Sequence, residues 1–158
     1  MKSEKSSFKK VERIVSKKLI DDIFSGNSSQ SMAAFPLRIV FMERERLQVS
    51  DPGVVVLTSV SKRHFKHAVD RNRVKRQLRE AYRLNKQLII ENIPGDKQLC
   101  LAFIWLSDQL APSHVVATKT KRLLKSIAEQ YQNSQNPQNS QNSQNPQNSQ
   151  NPQNNQNS

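Results

Sequence analysis

The stretch SVSKRHFKHAVDRNRVKRQLREAYRLNK, Ser59 to Lys86, decides how this chain folds. Its second half repeats apolar and basic residues at helical spacing, so that each kind of residue occupies its own side of a helix. The apolar side holds Val74, Leu78, Ala81, Leu84 and Leu88, and the basic side holds Arg71, Lys75, Arg79, Arg83 and Lys86. The spacing predicts one long helix from about Lys66 to Glu91, with a core face and a cationic face.

The positive charge of this helix is too high for an ordinary solvated surface, because only Glu80 opposes the basic residues between Arg71 and Lys86. The whole chain has a formal net charge of +12, and no ionisable side chain follows Tyr131. Clustered arginine and lysine are the electrostatic mark of nucleic-acid binding. Membrane-surface binding usually needs large exposed apolar residues or a lipid signal, and no lipidation motif occurs. We therefore expect a polyanionic partner and no membrane.

The composition predicts one domain, residues 1–131, followed by a tail, residues 132–158. The tail is built from QNS and QNP triplets without charged, aromatic or aliphatic residues. Such a segment has no apolar side chains whose burial could offset the conformational entropy lost on ordering, so we expect it to be disordered. The single cysteine, Cys100, excludes an intramolecular disulfide, and the longest apolar run is too short for a membrane span. The expected location is the cytoplasm.

Further elements are predicted on both sides of the basic helix. Upstream, a short helix has Ser16 as its N-cap and Gly26 just past its end. It is followed by a strand in FPLRIVFMER, residues 35–44, with alternate residues from Phe35 to Phe41 buried, and by a second strand from Val54 to Ser61. Downstream, the apolar run LCLAFIWL, residues 99–106, predicts a buried strand, and a last helix starts near residues 112–113.

This order of elements favours an α+β fold in which helices pack against one small mixed sheet. A further short strand in RERLQVS, residues 44–50, is left open by the pattern.

The segments SVSK and AVDRNRVKRQLREAYR resemble the bacterial ribonuclease P protein component, whose mark is a basic RNR helix that follows a Ser-Val-Ser-Lys strand end. The upstream RIVSKKLIDDIFSGN is similar to the N-terminal helix of that family, with Ile20 and Phe24 where aromatic residues are typical. The resemblance covers most of Lys5 to Tyr131. KRHFKHAV departs from it, because the family commonly has a glycine here and the segment is about one residue longer.

The resemblance implies a small α-β sandwich with about four strands and a left-handed strand-helix-strand crossover around the RNR helix. The residues alone would favour the common right-handed crossover. It also implies that the protein binds a catalytic RNA, ribonuclease P RNA, and that the two remove the 5′ leader of precursor tRNA. The RNA performs the hydrolysis with bound Mg²⁺, which is therefore the expected cofactor without an assigned protein site.

The residues expected to contact the RNA subunit surround the RNR motif: Lys62, Arg63, Arg71, Asn72, Arg73, Lys75, Arg76, Arg79 and Arg83. Their guanidinium groups suit bidentate phosphate contacts. By resemblance, the single-stranded leader enters a cleft between the first helix and the open sheet face, where Ile20, Phe24 and Phe35 are candidate contacts.

Several alternatives remain open at this point. Asn72 suits RNA binding and local backbone capping equally, and the spacing of Phe24 and Phe35 fits core packing at least as well as base stacking. His64 and His67 lie in the basic loop, where phosphate contact, stacking and plain solvent exposure all fit. No carboxylate group forms a metal-ligand motif, and no nucleophile motif occurs, so no catalytic residue and no small-molecule substrate are expected. The competing functions are another basic RNA-binding protein, such as a ribosomal protein, and a protein that is itself a nuclease.

Overall fold

A single four-stranded sheet organises the chain, which this computed structural model describes from residue 8 to residue 135, with side chains to residue 133. The strands are β1 (Gln30–Ala34), β2 (Leu37–Glu45), β3 (Val54–Ser59) and β4 (Lys97–Trp105). Their order is β1-β2-β4-β3, with β3 parallel to β4 and the other pairs antiparallel. The helices are α1 (Lys17–Ser25), α2 (Ala68–Asn85), α3 (Gln87–Ile90) and α4 (Ser113–Gln135), after a 3-10 turn at Lys10–Glu12. The mixed four-stranded α+β fold is therefore confirmed.

The central strand β4 is buried on both faces, which explains its nearly continuous apolar sequence. Leu99, Leu101 and Phe103 face the larger core, which β4 shares with α2 and α4. Cys100 and Ala102 face a smaller core under α1. The sheet thus has helices on both sides, and α1 lies on the face opposite the basic helix.

The helix α1 has the predicted start and end. The backbone N–H of Leu19 donates to the Ser16 Oγ at 3.2 Å, which fixes the first turn. Gly26 follows the helix with φ 84°, a left-handed conformation that glycine adopts without a Cβ clash. Ile23 is fully buried against the sheet, so this short helix is held by one narrow apolar stripe.

The fourth strand lies in a place that the sequence did not indicate. It is β1, Gln30–Ala34, whereas β2 ends at Glu45 and no strand is described in residues 46–53. β1 is an edge strand with mostly exposed residues, so it lacks the apolar alternation that predicts a strand. Phe35 and Pro36, joined by a cis peptide bond, form the turn between β1 and β2. The prediction that Phe35 is a buried strand residue was therefore wrong.

The long basic helix is shorter than predicted, because α2 begins at Ala68 and ends at Asn85 before the separate short helix α3. Val74, Leu78 and Tyr82 are completely buried, and together they define the core face. Leu84 lies roughly 120° from the middle of that face at 100° per residue, and it is 59% exposed. The prediction that Leu84 is a core residue was wrong, since Tyr82 takes that place.

The predicted domain boundary at residue 131 falls inside a helix, because α4 continues to Gln135. The prediction of disorder for the rest of the tail concerns residues 136–158, which lie outside the described residues. None of the described helices has the length and apolarity needed to cross a membrane. The left-handed crossover between β3 and β4 stays a prediction carried by the resemblance.

Cys100 is expected to resist thiol reagents in the native protein. The side chain is completely buried in the smaller core under α1, and burial raises the pKa of the thiol to about 11. Because the thiolate is the reactive form, labelling by a disulfide reagent at pH 8 should require unfolding. We expect slow labelling in buffer and rapid labelling in denaturing urea. Rapid labelling of the native protein would contradict the buried position.

Candidate RNA interface

The core residues of α2 set the direction of its basic side chains. Val74 and Leu78 are buried against the sheet, which leaves Arg73 and Arg76 exposed on the outer side of the helix. Lys75 and Arg79 are half-buried along the edge of α2 that borders residues 8–15. The sequence-predicted cations therefore form a band from the outer side of α2 to its border with the N-terminal segment.

Arg71 has a structural role that the sequence did not indicate. Its guanidinium donates hydrogen bonds to the backbone carbonyls of Phe65 at 2.8 Å and Lys66 at 3.1 Å. Arg71 therefore holds the loop before α2 in place, and a phosphate contact would use its remaining N–H donors. Asn72 is exposed and makes no hydrogen bond within the described chain, so backbone capping is not its role.

Lys62 and Arg63 are exposed in the turn between β3 and α2. The same loop is anchored by Phe65, which is buried in the larger core, and by a contact of 2.7 Å between the His64 Nδ1 and the Asp108 Oδ1. The path of this loop, which the departure from the family motif left undefined, is thus fixed by one buried ring and one polar pair. Among the predicted site residues, Lys62 and Arg63 therefore extend the band of cations beyond the start of α2.

Two of the basic residues near the end of α2 differ from the rest because each forms an ion pair with a glutamate. Arg83 forms an ion pair with Glu80 at 2.5 Å, and this hydrogen bond raises the pKa of the Arg83 guanidinium and lowers that of the Glu80 carboxyl. Lys86 is buried, and its Nζ lies 3.1 Å from the Glu12 Oε1. The prediction that Lys86 belongs to the cationic face was wrong, because Lys86 is committed to an internal pair.

Arg13 joins the band from outside α2, and sequence reasoning missed it. The N–H of Ile14 donates to the Val56 carbonyl at 2.9 Å, which places the N-terminal segment along the outer edge of β3. Burial, followed by the charges of Arg13 and Arg76, lowers the pKa of Arg79. Arg13 is thus electrostatically coupled to α2. No sequence signal reports this pairing, since it joins segments far apart in the chain.

The three predicted leader contacts do not form one cluster. Ile20 is half-buried against the smaller core, and Phe24 is 46% exposed near the end of α1. Phe35 is 66% exposed at the turn between β1 and β2. α1 covers the sheet near Val40, β2 runs about 10 Å from Val40 to its first residue Leu37 at 3.3 Å per residue, and Phe35 lies beyond that end in the turn. Neither Phe24 nor Phe35 is a core residue, so both remain available for contact.

The face of the sheet beyond α1 is partly open. Arg38 is exposed there, and Ile104, its partner on β4, is half-buried. The structure therefore provides a mixed basic and apolar surface beside α1. Within residues 8–133, no group of three or more His, Cys, Asp or Glu side chains is arranged to hold a metal ion.

Comparison with known proteins identifies the family. The family model for ribonuclease P matches residues 8–101. A ribonuclease P protein component from Porphyromonas gingivalis is 34% identical over 127 residues, which cover 79% of this chain and 89% of the relative. A second one, from Chlorobaculum tepidum, is 36% identical over 94 residues, covering 56% of this chain and 60% of the relative.

Solved structures agree on the fold. The RNase P protein from Thermotoga maritima superposes with a TM-score of 0.57 at 23% identity, covering 73% of this chain and 97% of that one. The RNase P protein from Staphylococcus aureus gives a TM-score of 0.52 at 20% identity, covering 73% and 94%. The family model spans all of α2 and the strands β1 to β3, and it ends within β4. The chain therefore belongs to the ribonuclease P protein family and is the protein component of that tRNA-processing ribonucleoprotein.

Proposed function

We propose that this protein binds ribonuclease P RNA through the basic band, defined as Lys62, Arg63, Arg71, Asn72, Arg73, Lys75, Arg76, Arg79 and Arg83 together with Arg13. The observation that carries the proposal is the geometry of α2. Its buried face fixes the helix on the sheet, and its opposite side presents cations that have few carboxylates among them. Phosphate binding by such a band releases counterions, so the affinity should fall steeply with salt.

The precursor tRNA is the proposed second partner. Its single-stranded leader would lie along the open sheet face beside α1, where Arg38 supplies positive charge and Ile20 and Phe24 supply apolar and aromatic surface. Base stacking on exposed aromatic rings tolerates any sequence, as a leader of variable sequence requires. Phe35 would contact a different part of the RNA, given its distance along β2.

The proposed chemistry belongs to the RNA and not to protein side chains. Hydrolysis of the phosphodiester bond is assigned to ribonuclease P RNA with Mg²⁺, as the family resemblance implies. The described residues bring no three potential ligands together, so we assign the metal no protein site and derive no protein step from it. The protein would position the substrate and neutralise backbone charge in the cytoplasm, without a membrane or a small-molecule substrate.

Reconstitution at low Mg²⁺ tests this function against its alternatives. Precursor-tRNA cleavage is measured with the protein alone, with the cognate RNA alone and with both. We expect the mixture to be much faster than the RNA alone, because cations of the protein replace metal ions that would otherwise screen phosphate repulsion. A mixture no faster than the RNA would favour another basic RNA-binding role, such as that of a ribosomal protein. Cleavage by the protein alone would identify a protein nuclease.

A further inference from the structure

A small basic pocket lies where the N-terminal segment meets the outer edge of β3. Its volume is about 260 Å³, and its lining includes Arg13 from that segment, Thr58 from β3, and Lys75 and Arg79 from α2. We propose that this pocket binds one phosphodiester group of RNA, which makes Arg13 and Thr58 RNA-binding residues beside α2. The inference rests on the proposed function and names a specific contact within it.

The charges around the pocket favour an anion. No carboxylate lines it, and none of Arg13, Lys75 and Arg79 forms an ion pair with another described residue. The pKa of Arg79 is lowered first by burial and then by repulsion from Arg13 and Arg76. A bound phosphate would offset both effects, because an opposite charge stabilises the charged guanidinium.

Neutral donors from β3 complete the pocket. The Val56 carbonyl faces outward and accepts the N–H of Ile14. Backbone groups of alternate residues in a strand point to the same side, so the N–H of Thr58 also faces this outer edge. The Thr58 side chain, which is half-buried, adds a hydroxyl group. Backbone N–H and hydroxyl donors are common phosphate ligands in nucleic-acid complexes.

The wall that carries Arg13 is held in position before RNA arrives. The Arg13 guanidinium lies over the ring of Phe8 at 5.4 Å, and this ring packs edge-on against Tyr82 of α2 at 5.8 Å. On the other side of the chain, Glu12 pairs with the buried Lys86. Since Phe8 and Glu12 are both anchored, Arg13 loses little conformational freedom on binding. The contact of Arg13 with RNA can therefore contribute more to the affinity.

The size of the pocket limits its occupant. Sites for small molecules begin at about 300 Å³, so this pocket suits a phosphate with part of a sugar better than a complete nucleotide. Both ribonuclease P RNA and the leader of precursor tRNA offer this group. The chemistry recognised is the same, and the experiment below separates the two sources.

The test uses the full chain and the reconstituted holoenzyme. Affinities are measured over a range of salt for Arg13→Ala, Arg13→Lys and Lys75→Gln, first for ribonuclease P RNA, and then by the holoenzyme for precursor tRNA with and without a leader. We expect Arg13→Ala to lose about tenfold or more in one of these affinities, as a charge-assisted hydrogen bond would. The salt slope should fall by about 0.7–0.9 for one lost phosphate contact. Arg13→Lys should lose less, since it keeps the charge and loses the fork.

A double variant tests whether Arg13 and Lys75, on different walls of the pocket, contact the same phosphate group. If Arg13 and Lys75 hold the same phosphate, Arg13→Ala with Lys75→Gln should lose less affinity than the product of the single losses. Independent losses would overturn the shared pocket. Lys75→Gln alone tests the pocket from the α2 side if Arg13→Ala does not fold, as judged by its thermal transition. Arg122→Ala, an exposed arginine on α4, is the matched control.

The outcomes assign the source of the phosphate. Loss of affinity for ribonuclease P RNA places the phosphate in that RNA, and loss seen only with leader-bearing precursor places it in the leader. Unchanged affinity in both measurements, with wild-type protein still stimulating cleavage, would overturn the pocket while leaving the proposed function intact. Failure of wild-type protein to stimulate cleavage would instead remove the proposed function.

Discussion

Replacing Arg73 and Arg76 together by alanine is expected to weaken binding to ribonuclease P RNA by about a hundredfold or more at physiological salt. Each arginine is exposed on the outer side of α2 and can make charge-assisted hydrogen bonds, which contribute about 1.5–3 kcal/mol apiece. The slope of log affinity against log salt should become shallower by about 1.4–1.8, as two phosphate contacts are lost. Both quantities can be measured by filter binding or fluorescence anisotropy at salt concentrations of about 50–400 mM, where counterion release dominates the salt dependence of the affinity.

The choice of this pair follows from the structure. Arg71 shares the RNR motif with Arg73, but its hydrogen bonds to Phe65 and Lys66 mean that its replacement would also disturb the loop. Arg73 and Arg76 carry no such internal bonds within the described chain. Lys121→Ala with Arg122→Ala removes the same charge from the exposed side of α4 and serves as the control. Equal losses in the two double variants would show that overall charge, and not the α2 band, determines affinity.

The second large effect concerns stability and involves Lys86. Lys86→Met is expected to lower the free energy of unfolding by about 3–5 kcal/mol, because it leaves the Glu12 carboxylate buried without its ion-pair partner. Urea denaturation followed by circular dichroism measures the change. The double variant Glu12→Leu with Lys86→Met should recover most of the loss, since a buried ion pair can be replaced by apolar residues at little cost.

A surface pair provides the contrast for this stability prediction. Lys97 pairs with Glu45 in an exposed position, so Lys97→Met should leave the free energy of unfolding nearly unchanged. Should Lys86→Met unfold at the same urea concentration as the wild-type protein, the buried pair would not stabilise the fold. Because the pair also anchors the residue before Arg13, loss of the pair is expected to reduce RNA affinity even where the fold survives.

The sequence correctly predicted those structural features that depend on residues close together in the chain. Ser16 and Gly26 mark the ends of α1 because capping depends on groups within one turn of the helix. The run around Cys100 predicts a buried strand because β4 has helices on both of its faces. The basic side of α2 was predicted for the same reason, since an 18-residue helix shows its two faces in its own spacing.

The failures concern contacts between distant segments. Lys86 counted as a surface cation, but its partner Glu12 is 74 residues away in the chain. Arg13 enters the interface only because the segment around Ile14 pairs with the edge of β3. β1 escaped notice because an edge strand needs few apolar residues, and its register is imposed by β2. Spacing within one element carries no information about such pairings.

The N-terminal segment links RNA binding to the stability of the protein. Its position depends on the Glu12–Lys86 pair and on the bond from Ile14 to Val56, which tie it to the residue after α2 and to β3. In the free protein, Arg13 and Arg79 repel each other across the pocket that they line. A ligand that binds only the folded state raises its stability by mass action, by about 2.7 kcal/mol at a hundred times the dissociation constant. RNA binding at this corner and the stability of the whole fold are therefore linked equilibria.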